Sequence, residues 1–417
     1  MPSYAAFLGH QPLISLAELS ATVPGFVFRK TLESSVTLFE SPVDLGAEFL
    51  DTLGGIVVLA KRVTENVVTT EDLPSILLGE LKDTKRGKVT FALRTLHLPH
   101  GNVRTLYRQC KEALRKIGRP CRYVGNERTP AAPVLLRDAG LLDGKHGCEL
   151  VLIQDEDDLW VGRTVAAQDV DAYTLRDMKK PVRDTTVGLL PPKLAQILLN
   201  FGAWLASGCS LPIPEPGQKK TKKPVPLTVL DPFCGTGVIP LECLIRGWDV
   251  LASDISAKAV SGTEKNIEWL RKEFKILKKD ATSTVTKQDA LKPFSFKKLP
   301  DVVVTETTLG PALTDRPAQK NASKMKTESE RLQSEFFENC AATLPGVPLV
   351  VTWPFWKVKN DVILLERAWE AAHAAGYHAT LPPGVTPTRP GRLSLLYRRP
   401  DQFVGREIVL LVPKKKH

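Results

Sequence analysis

The sequence predicts an α/β protein with an open, mostly parallel sheet, and the clearest evidence is one unit of strand, turn and helix. An apolar run at residues 227–230 ends at Asp231, two glycines follow at Gly235 and Gly237, and an apolar helical pattern then continues. Glycine is needed where a chain turns sharply and lets its backbone approach a ligand, because a Cβ atom would block both. A bare Gly-x-Gly turn is a weak signal, so the residues that follow it decide the interpretation.

Acidic residues at the ends of the next two strands strengthen this interpretation. A short strand at residues 250–252 leads to Asp254, about twenty residues after the glycine turn, where an acid can hold the ribose hydroxyls of a cofactor. A third strand at residues 284–286 leads to Asp289. Because open α/β sheets bind ligands at the carboxyl ends of their strands, acids at three successive strand ends predict a cofactor crevice.

Later segments complete the predicted sheet. Residues 301–305 and 349–352 have the apolar character of a fourth and a fifth strand, and residues 392–397 and 406–412 alternate like a hairpin. Between the fourth and fifth strands, the polar residues 314–331 predict a mobile segment.

The composition indicates a protein of two or three domains with a polyanionic partner. The chain has 417 residues and a formal net charge of +11, and Lys and Arg contacts to phosphate dominate nucleic-acid affinity. The seven cysteines form no Cys-x-x-Cys pair and the histidines do not cluster with them, so neither a metal site nor a disulfide framework is indicated. The longest apolar runs are too short to span a bilayer, and the first residues contain no basic leader region. We therefore expect a cytoplasmic protein that uses neither a membrane nor a metal ion.

The glycine turn and the three acids resemble those of the class I S-adenosylmethionine-dependent methyltransferases. The resemblance implies S-adenosylmethionine as the cofactor and a Rossmann-like domain with a mostly parallel seven-stranded sheet. It implies that Gly235 and Gly237 admit the methionine part, that Asp254 holds the ribose and that Asp289 contacts the adenine amine. The complete set of implied cofactor residues is Thr186, Leu190, Asp231, Phe233, Gly235, Gly237, Asp254, Ile255, Asp289, Ala290 and Thr305.

Residues 177–195 carry a narrower resemblance, to the THUMP-containing tRNA guanine-N2 methyltransferases of the archaeal type. In that family the stretch that matches residues 186–190 covers the methionine end of the cofactor, and the next helix, here residues 192–204, packs on the sheet. Pro192 suits the first turn of that helix, where its missing N–H costs nothing. The Pro- and Lys-rich residues 211–224 predict a solvated loop inserted in the catalytic domain.

The N-terminal half resembles the RNA-binding half of the same family. Residues 7–19 look like the opening of a small ferredoxin-like module, and the capping-box spacing of Ser15 and Glu18 predicts a helix start there. Residues 87–163 resemble a THUMP domain. The predicted organisation is a ferredoxin-like module at 1–75, a THUMP-like RNA-binding domain at 76–165, a linker at 166–184 and the methyltransferase domain at 185–413.

A basic helix in the THUMP-like domain predicts the RNA-binding surface. Apolar residues within 105–117 have helical spacing and predict a core face, which consists of Leu106, Cys110, Ala113, Leu114 and Ile117. The candidate RNA-binding residues are Lys111, Arg115, Lys116, Arg119 and Arg122. A basic run of this kind is more often a solvated face, but the family resemblance gives this surface an RNA-binding role and implies tRNA as the partner.

The segment after the fourth strand departs from the family pattern. Amine methyltransferases of this class usually carry Asp/Asn-Pro-Pro-Tyr/Phe there, whose acceptors bind the two N–H groups and whose ring stacks on the flipped base. Residues 305–311 read Thr-Glu-Thr-Thr-Leu-Gly-Pro, which places Glu306 as the acceptor, followed by Thr307, without the paired prolines or the aromatic ring. Trp353, in the aromatic cluster at 351–356, would supply the ring or would equally well plug the rim of the core. Glu306, Thr307 and Trp353 are the predicted catalytic residues.

This departure leaves three functions open. The family resemblance favours methylation of guanine N2 in tRNA, and methylation of adenine N6 in RNA or DNA is an alternative because the fold and the amine chemistry overlap. The third function is a non-catalytic protein that binds S-adenosylmethionine and tRNA. Methylation of pyrimidine C5 is disfavoured, because it needs a nucleophilic cysteine, and Cys234 lies in the glycine turn while Cys340 lies in a predicted helix.

Overall fold

Two α/β units follow one another along the chain, and each is built on one β-sheet. The computed structural model describes residues 1–126, 128–156, 158–184, 189–211, 226–311, 313, 315–359 and 361–414. Within these parts of the chain, none of the helices combines the length and the apolar character of a membrane span.

The first unit contains the strands of one mixed sheet. In chain order it comprises β1 (Ser3–Leu8), α1 (Pro12–Thr22), β2 (Val27–Leu32), β3 (Val36–Glu40), α2 (Ala47–Leu50), β4 (Ile56–Arg62), α3 (Leu73–Glu80), β5 (Val89–Leu96), α4 (His100–Lys116), β6 (Cys121–Val124), α5 (Pro133–Asp138), β7 (Gly147–Asp155), β8 (Asp158–Ala167) and α6 (Val170–Met178). The strand order is β2-β3-β1-β4-β8-β7-β5-β6. Strand β5 is parallel to β6 and β7, and the other neighbours are antiparallel.

This sheet crosses the predicted boundary at residue 75. Strand β4 pairs with β8, with Lys61 opposite Arg163, so the strands of the predicted ferredoxin-like module and those of the THUMP-like domain form one sheet. Helix α6 lies within the predicted linker, and its N-cap Asp169 accepts a hydrogen bond from the Ala172 amide at 2.8 Å. The predicted linker is therefore partly helical.

Helix α4 confirms most of the predicted core face. Leu106, Cys110 and Leu114 are buried, as the helical spacing predicts. The helix begins earlier than expected, at His100, and ends at Lys116, so Ile117 lies beyond it and is exposed. The prediction that Ile117 is a core residue is wrong, because the helical repeat stops one residue before it.

The second unit contains the predicted glycine turn and acids. In chain order it comprises α7 (Pro192–Ala206), β9 (Thr228–Asp231), α8 (Val238–Ile245), β10 (Asp249–Asp254), α9 (Ala257–Phe274), β11 (Ser283–Lys287), β12 (Val302–Glu306), α10 (Gln319–Thr343), β13 (Leu349–Lys357), β14 (Val362–Ile363), α11 (Glu366–Ala374), β15 (Tyr377–Thr380), β16 (Ser394–Tyr397) and β17 (Val404–Pro413).

The sheet of the second unit has the order β11-β10-β9-β12-β13-β17-β15. Neighbours from β11 to β13 are parallel, and β17 is antiparallel to both β13 and β15. Two short strands extend it, since β14 pairs with β13 and β16 pairs with β17. The predicted class I methyltransferase fold is confirmed, with a mixed rather than purely parallel sheet, and so is the predicted hairpin of β16 and β17.

Two segments of this unit differ from the prediction. Strand β13 extends to Lys357 instead of ending at residue 352, because its aromatic residues continue to pair with β17 as far as Trp356 opposite Val404. Helix α10 occupies most of the segment 314–331 that was predicted to be mobile. Its later turns bury two phenylalanines and a cysteine at helical spacing, and this apolar face fixes the helix on the sheet.

A buried carboxylate joins the two units. Glu18 of α1 is fully buried, and its two oxygens accept the backbone N–H groups of Gly54 and Gly55, both at 2.8 Å. Asn200 of α7 donates to the same carboxylate at 2.6 Å. Burial raises the pKa of Glu18 to about 7, although these three donors and the charge of Arg246 oppose the rise. The predicted capping role of Glu18 is wrong, because its carboxylate is used in the contact between units.

Helix α8 takes part in the same contact. Arg246, which follows the last residue of α8, donates to Oδ1 of Asn200 at 2.7 Å and to the carbonyl of Thr52 at 2.6 Å. Glu242, one turn earlier, accepts a hydrogen bond from Nε of Arg176 in α6 at 2.7 Å. Because α8 begins at the glycine turn, this one short helix connects the turn to the first unit.

We expect Glu18→Ala to lower the free energy of unfolding by about 3–5 kcal/mol, the cost of removing one partner from a buried charged network. The amides of Gly54 and Gly55 would lose their acceptor, and Arg246 would lose a nearby opposite charge. Equilibrium urea denaturation measures the change.

The matched control is Glu370→Ala, because Glu370 is an exposed helical carboxylate in α11. It should change the free energy of unfolding by less than about 0.5 kcal/mol. Equal losses in the two variants would show that the contact between units contributes little to stability.

Candidate active site

The turn between β9 and α8 needs its two glycines for different reasons. Gly235 and Gly237 have φ angles of +52° and +86°, in the left-handed region that favours glycine. A Cβ atom on Gly237 would lie 2.8 Å from Cγ2 of Thr263, so packing also excludes a side chain there. No described heavy atom lies within 4 Å of a Cβ position on Gly235. Among the described residues, the space beside the Gly235 backbone is therefore open to a ligand.

Asp254 ends β10 and holds the glycine turn in place. Its Oδ2 accepts the N–H of Gly235 at 3.0 Å, and its Oδ1 accepts the N–H of Ser256, the N-cap of α9, at 2.8 Å. A carboxylate has about four acceptor sites, so Asp254 retains capacity for a ligand. The structure thus brings two separately predicted cofactor residues into direct contact.

Asp231 is buried at the end of β9. The hydroxyl of Thr305 donates to its Oδ1 at 2.6 Å and joins the ends of β9 and β12. Burial raises the pKa of Asp231 to about 7, the Thr305 hydrogen bond opposes the rise, and the nearby carboxylates of Asp254 and Glu306 add to it. Three acids therefore lie close together at the carboxyl ends of β9, β10 and β12.

Two more of the predicted cofactor residues remain accessible. Ile255 is 65% exposed immediately after Asp254, which is unusual for a large apolar side chain. Asp289 is half-buried after β11, and its Oδ1 accepts the N–H of Leu291 at 2.9 Å. Both lie at the strand ends where the sequence predicts the crevice.

Other predicted cofactor residues belong to the apolar cores. Leu190 and Ala290 are buried, and the ring of Phe233 packs edge-on against Phe336 with ring centroids 5.2 Å apart. Their side chains are thus occupied by packing. Thr186 lies outside the described residues.

Asn266 fastens the backbone at Val182 to the glycine turn, and the sequence did not reveal this role. Its Oδ1 accepts the N–H of Val182 at 2.9 Å, and its Nδ2 donates to the carbonyls of Val182 at 2.9 Å and Thr236 at 2.8 Å. The side chain is fully buried on α9. An asparagine in a helical pattern gives no signal of this function, because its partners are backbone groups far away in the sequence.

Glu306 ends β12 and forms a two-point ion pair with Arg406 of β17. Nε of Arg406 bonds one carboxylate oxygen of Glu306, and Nη2 lies 3.3 Å from the other. Nη2 also donates to the carbonyl of Leu189 at 3.1 Å. The side chain of Arg406 is 3% exposed, whereas that of Glu306 keeps 12% of its surface exposed. The structure therefore offers a carboxylate of fixed orientation that remains partly accessible.

The structure places the other two predicted catalytic residues in the interior. Thr307 is buried, and its hydroxyl donates to the carbonyl of Thr352 at 3.1 Å and accepts a hydrogen bond from Nε2 of Gln333 at 2.7 Å. Trp353 is fully buried within β13, and its Nε1 donates to Glu407 at 2.8 Å. The prediction that Trp353 stacks on a base is wrong, because strand β13 continues past it and directs it into the core. Thr307 has a structural use for its hydroxyl in place of the predicted catalytic one.

A cavity of about 430 Å³ lies beside helix α4, and two predicted RNA-binding residues, Lys111 and Arg122, line it. Lys88 adds a third cation. Tyr107 and Tyr123 also line the cavity, and their rings stack with centroids 4.9 Å apart. Cations combined with aromatic rings suit phosphates and bases.

The remaining predicted RNA-binding residues have different surroundings. Arg115 and Lys116 are exposed on the last turn of α4. Arg119 instead donates through Nη2 to Oγ1 of Thr84 and to the carbonyl of Lys85, both at 2.9 Å. Its guanidinium fastens the segment before β5, so an RNA contact would compete with this bond.

We expect Asp231→Asn to raise the free energy of unfolding at pH 7.5 by on the order of 2 kcal/mol. The pKa of Asp231 is raised from 3.8 to about 7 by folding, so the folded protein binds this proton more tightly and stability falls as the pH rises from about 4 to about 7. Asparagine keeps an acceptor for the Thr305 hydroxyl without the buried charge. Urea denaturation at pH 4.5 and pH 7.5 measures both effects.

Asp280→Asn is the matched control, because Asp280 is exposed and accepts only a local backbone bond from Leu277 among the bonds described. Its stability should vary with pH as the parent's does. Glu18 makes the same contribution to the pH dependence of stability in the parent and in both variants, so its effect cancels from the comparison. An Asp231→Asn variant with the parent's pH dependence would contradict the raised pKa.

Residues 221–296 match a protein-family model described as Conserved hypothetical protein 95. Over 158 residues, 38% of this chain, the sequence is 27% identical to the tRNA (guanine(10)-N2)-dimethyltransferase of Methanothermobacter thermautotrophicus. The match spans 36% of that relative's length.

Two solved structures align along nearly the whole chain. TrmN from Thermus thermophilus aligns with 99% of this chain and 100% of its own, at 17% identity and a TM-score of 0.49. A possible methylase from Clostridium difficile 630 aligns with 100% of this chain and 99% of its own, at 11% identity and a TM-score of 0.46. Over the 158 residues matched to the curated relative, the chain therefore resembles a tRNA guanine-N2 methyltransferase, in line with the resemblance that the sequence carries.

Proposed function

We propose that this protein transfers the methyl group of S-adenosylmethionine to an exocyclic amine of RNA, with guanine N2 of tRNA as the target. The observation that carries the proposal is the fixed, partly accessible carboxylate of Glu306 at the end of β12. Strand β12 lies next to β9, which leads into the glycine turn, so an amine acceptor and a cofactor turn occupy neighbouring strand ends.

The residues around the glycine turn fit S-adenosylmethionine. The open space at Gly235 suits the methionine part, and the unused acceptor sites of Asp254 suit the ribose hydroxyls. Exposed Ile255 offers an apolar surface to the adenine ring, and Asp289 would accept its amine. When bound, the cofactor supplies a methyl group on a positively charged sulfur.

Glu306 would accept a hydrogen bond from the target amine. Arg406 takes two of the roughly four acceptor sites of the carboxylate, so sites remain for an incoming N–H. The amine lone pair is delocalised into the base, and the nitrogen gains positive charge as the N–C bond forms and the S–C bond breaks. A carboxylate held nearby stabilises that charge more in the transition state than in the ground state. The methylated nitrogen then releases one proton to water.

The substrate class comes from the curated relative and from the charge of the chain. That relative is named for dimethylation of guanine N2 in tRNA, and we extend the amine and the tRNA to this chain. The net charge of +11 and the cavity lined by Lys111 and Arg122 support an RNA partner. The first unit would then bind RNA while the second unit carries the methyl transfer.

A second candidate function is binding of S-adenosylmethionine and tRNA without catalysis. It is favoured by the threonines that replace the usual proline and aromatic positions after Glu306, and by the burial of Trp353. Methylation of adenine N6 is the other catalytic alternative, and it would leave a different modified nucleoside.

We expect Glu306→Ala to reduce turnover on tRNA by on the order of 100-fold, the effect of removing one preorganised electrostatic partner. Affinity for S-adenosylmethionine should change little, because Glu306 would act mainly in the transition state. The assay uses tRNA from cells that lack the gene, follows methylation over time, and identifies the product nucleoside by mass spectrometry. Calorimetry gives the cofactor affinity of the same variant.

Asp254→Ala is the contrasting variant, because it should lose cofactor affinity rather than the transition-state interaction alone. Glu370→Ala should match the parent in both measurements. An active parent that is indifferent to loss of Glu306 would refute the mechanism. A parent that binds both ligands but methylates no RNA would favour the non-catalytic function, and N6-methyladenosine as product would replace guanine as the target.

We expect replacement of Lys111, Arg115 and Arg122 by alanine to weaken tRNA binding at least about tenfold at low salt, because phosphate contacts dominate such affinities. The slope of log affinity against log salt concentration should become shallower by about 2–3, near one unit for each lost phosphate contact. Filter binding of labelled tRNA at several salt concentrations measures both quantities.

A charge-matched control replaces three exposed lysines of the second unit, Lys278, Lys279 and Lys298. This triple variant has the same net charge as the first but leaves helix α4 intact. Equal weakening in the two triple variants would mean that general charge, rather than the surface beside α4, determines RNA affinity.

A further inference from the structure

We propose that Arg406 is a positioning residue that holds the Glu306 carboxylate in the orientation needed to accept the target amine. This role rests on the proposed function, since it has meaning only if Glu306 contacts the amine. The positioning role adds no chemical step to the reaction. It means that strand β17, which carries Arg406, contributes to catalysis.

The side chain of Arg406 reaches Glu306 across an intervening strand. Glu306 lies opposite Thr352 of β13, and Arg406 lies opposite Pro354 of the same strand, so β13 separates the two partners. Arg406 bonds both carboxylate oxygens of Glu306. Bidentate pairs of this kind fix the plane of a carboxylate as well as its position.

Arg406 has further contacts that hold its guanidinium independently of Glu306. Nη2 donates to the carbonyl of Leu189 at 3.1 Å, and the guanidinium carbon lies 5.8 Å from the centre of the Tyr397 ring. The side chain is almost completely buried, so it has little freedom to move. A rigid cation therefore orients a carboxylate that is itself more exposed.

The difference in exposure between the two side chains distinguishes a positioning role from that of a purely structural ion pair. Glu306 keeps the accessible surface, and Arg406 supplies the buried support. Without Arg406 the carboxylate would rotate among several rotamers and accept hydrogen bonds from water, and a displacement of about 1 Å can cost on the order of 100-fold in rate. Arg406 touches neither Asp254 nor Asn266, which hold the glycine turn, in the contacts described. Its contact with the segment before α7 is one bond to the carbonyl of Leu189, so cofactor binding would suffer less than turnover.

Arg392 provides a matched control in the same hairpin region. It forms a bidentate pair with Glu407, with Nε at 2.5 Å from one oxygen and Nη2 at 2.8 Å from the other. This pair lies beside the buried ring of Trp353, which donates to the same Glu407, and it has no contact with Glu306 among the bonds described. Loss of Arg392 removes a similar ion pair without removing the support of the acceptor.

The test compares turnover on tRNA for Arg406→Ala, Arg406→Lys, Glu306→Ala and the double variant with both alanines. We expect Arg406→Ala to lower kcat by about 10- to 100-fold, with KM for tRNA and Kd for S-adenosylmethionine within about threefold of the parent. Arg406→Lys should recover part of the loss, because lysine keeps the charge but not the fork of donors. In the Glu306→Ala background, loss of Arg406 should cause no further fall in kcat, because Arg406 acts through Glu306.

Several outcomes would overturn the role. Arg406 would be a structural residue if the losses of kcat in the two single variants multiplied in the double variant. It would also be one if cofactor affinity fell as much as kcat. An equal loss of kcat in Arg392→Ala would lead to the same conclusion. If Arg406→Ala does not fold, Arg406→Gln and Arg406→Lys carry the same comparison. A parent without methyltransferase activity would refute the proposed function itself, whereas an active parent with an indifferent Arg406 refutes only this inference.

Discussion

The contact around Glu18 and helix α8 is the constraint on which the arrangement of the two units depends. Buried donors and acceptors must find partners, and here the partners come from α1, the loop before β4, α7 and the end of α8. Two apolar surfaces can shift slightly against each other without losing their contact. A network of charged and amide groups keeps all its hydrogen bonds in only a few relative positions of the two units. The polar contact therefore specifies how the first unit sits against the second.

This constraint links the two halves of the proposed function. Helix α8 begins at the glycine turn, and Arg246, the residue after its end, donates to a carbonyl of the first unit. The glycine turn and the sheet of the first unit therefore have a fixed spacing. RNA bound beside α4 would then present its target nucleotide at a defined distance from Glu306. Holding the nucleotide rigidly in this way lowers the entropy cost of bringing the two reactants together.

The sequence predicted the parts of the site whose signals are local. The glycine turn, Asp231 and Asp254 lie within one strand, turn, helix and strand, and each is marked by residue type and by the periodicity of its neighbours. It could not predict Arg406 or Asn266, because their partners, Glu306 and the backbone at Val182, are 100 and 84 residues away. Trp353 was misplaced for a related reason, since the length of β13 depends on its pairing with β17.

The loop after β12 has no paired prolines after Glu306, and its backbone is restricted in another way. Proline restricts a backbone through its fixed φ angle, whereas here hydrogen bonds restrict it. The N–H and the hydroxyl of Thr307 both donate to the carbonyl of Thr352, at 3.0 and 3.1 Å, and Gln333 of α10 donates to that hydroxyl. The residue that follows Glu306 is thus held to β13 and to α10, while Arg406 holds Glu306 from β17. The rigidity that a proline pair supplies locally is distributed here over three elements, so the Glu306 carboxylate is held in one orientation without the paired prolines.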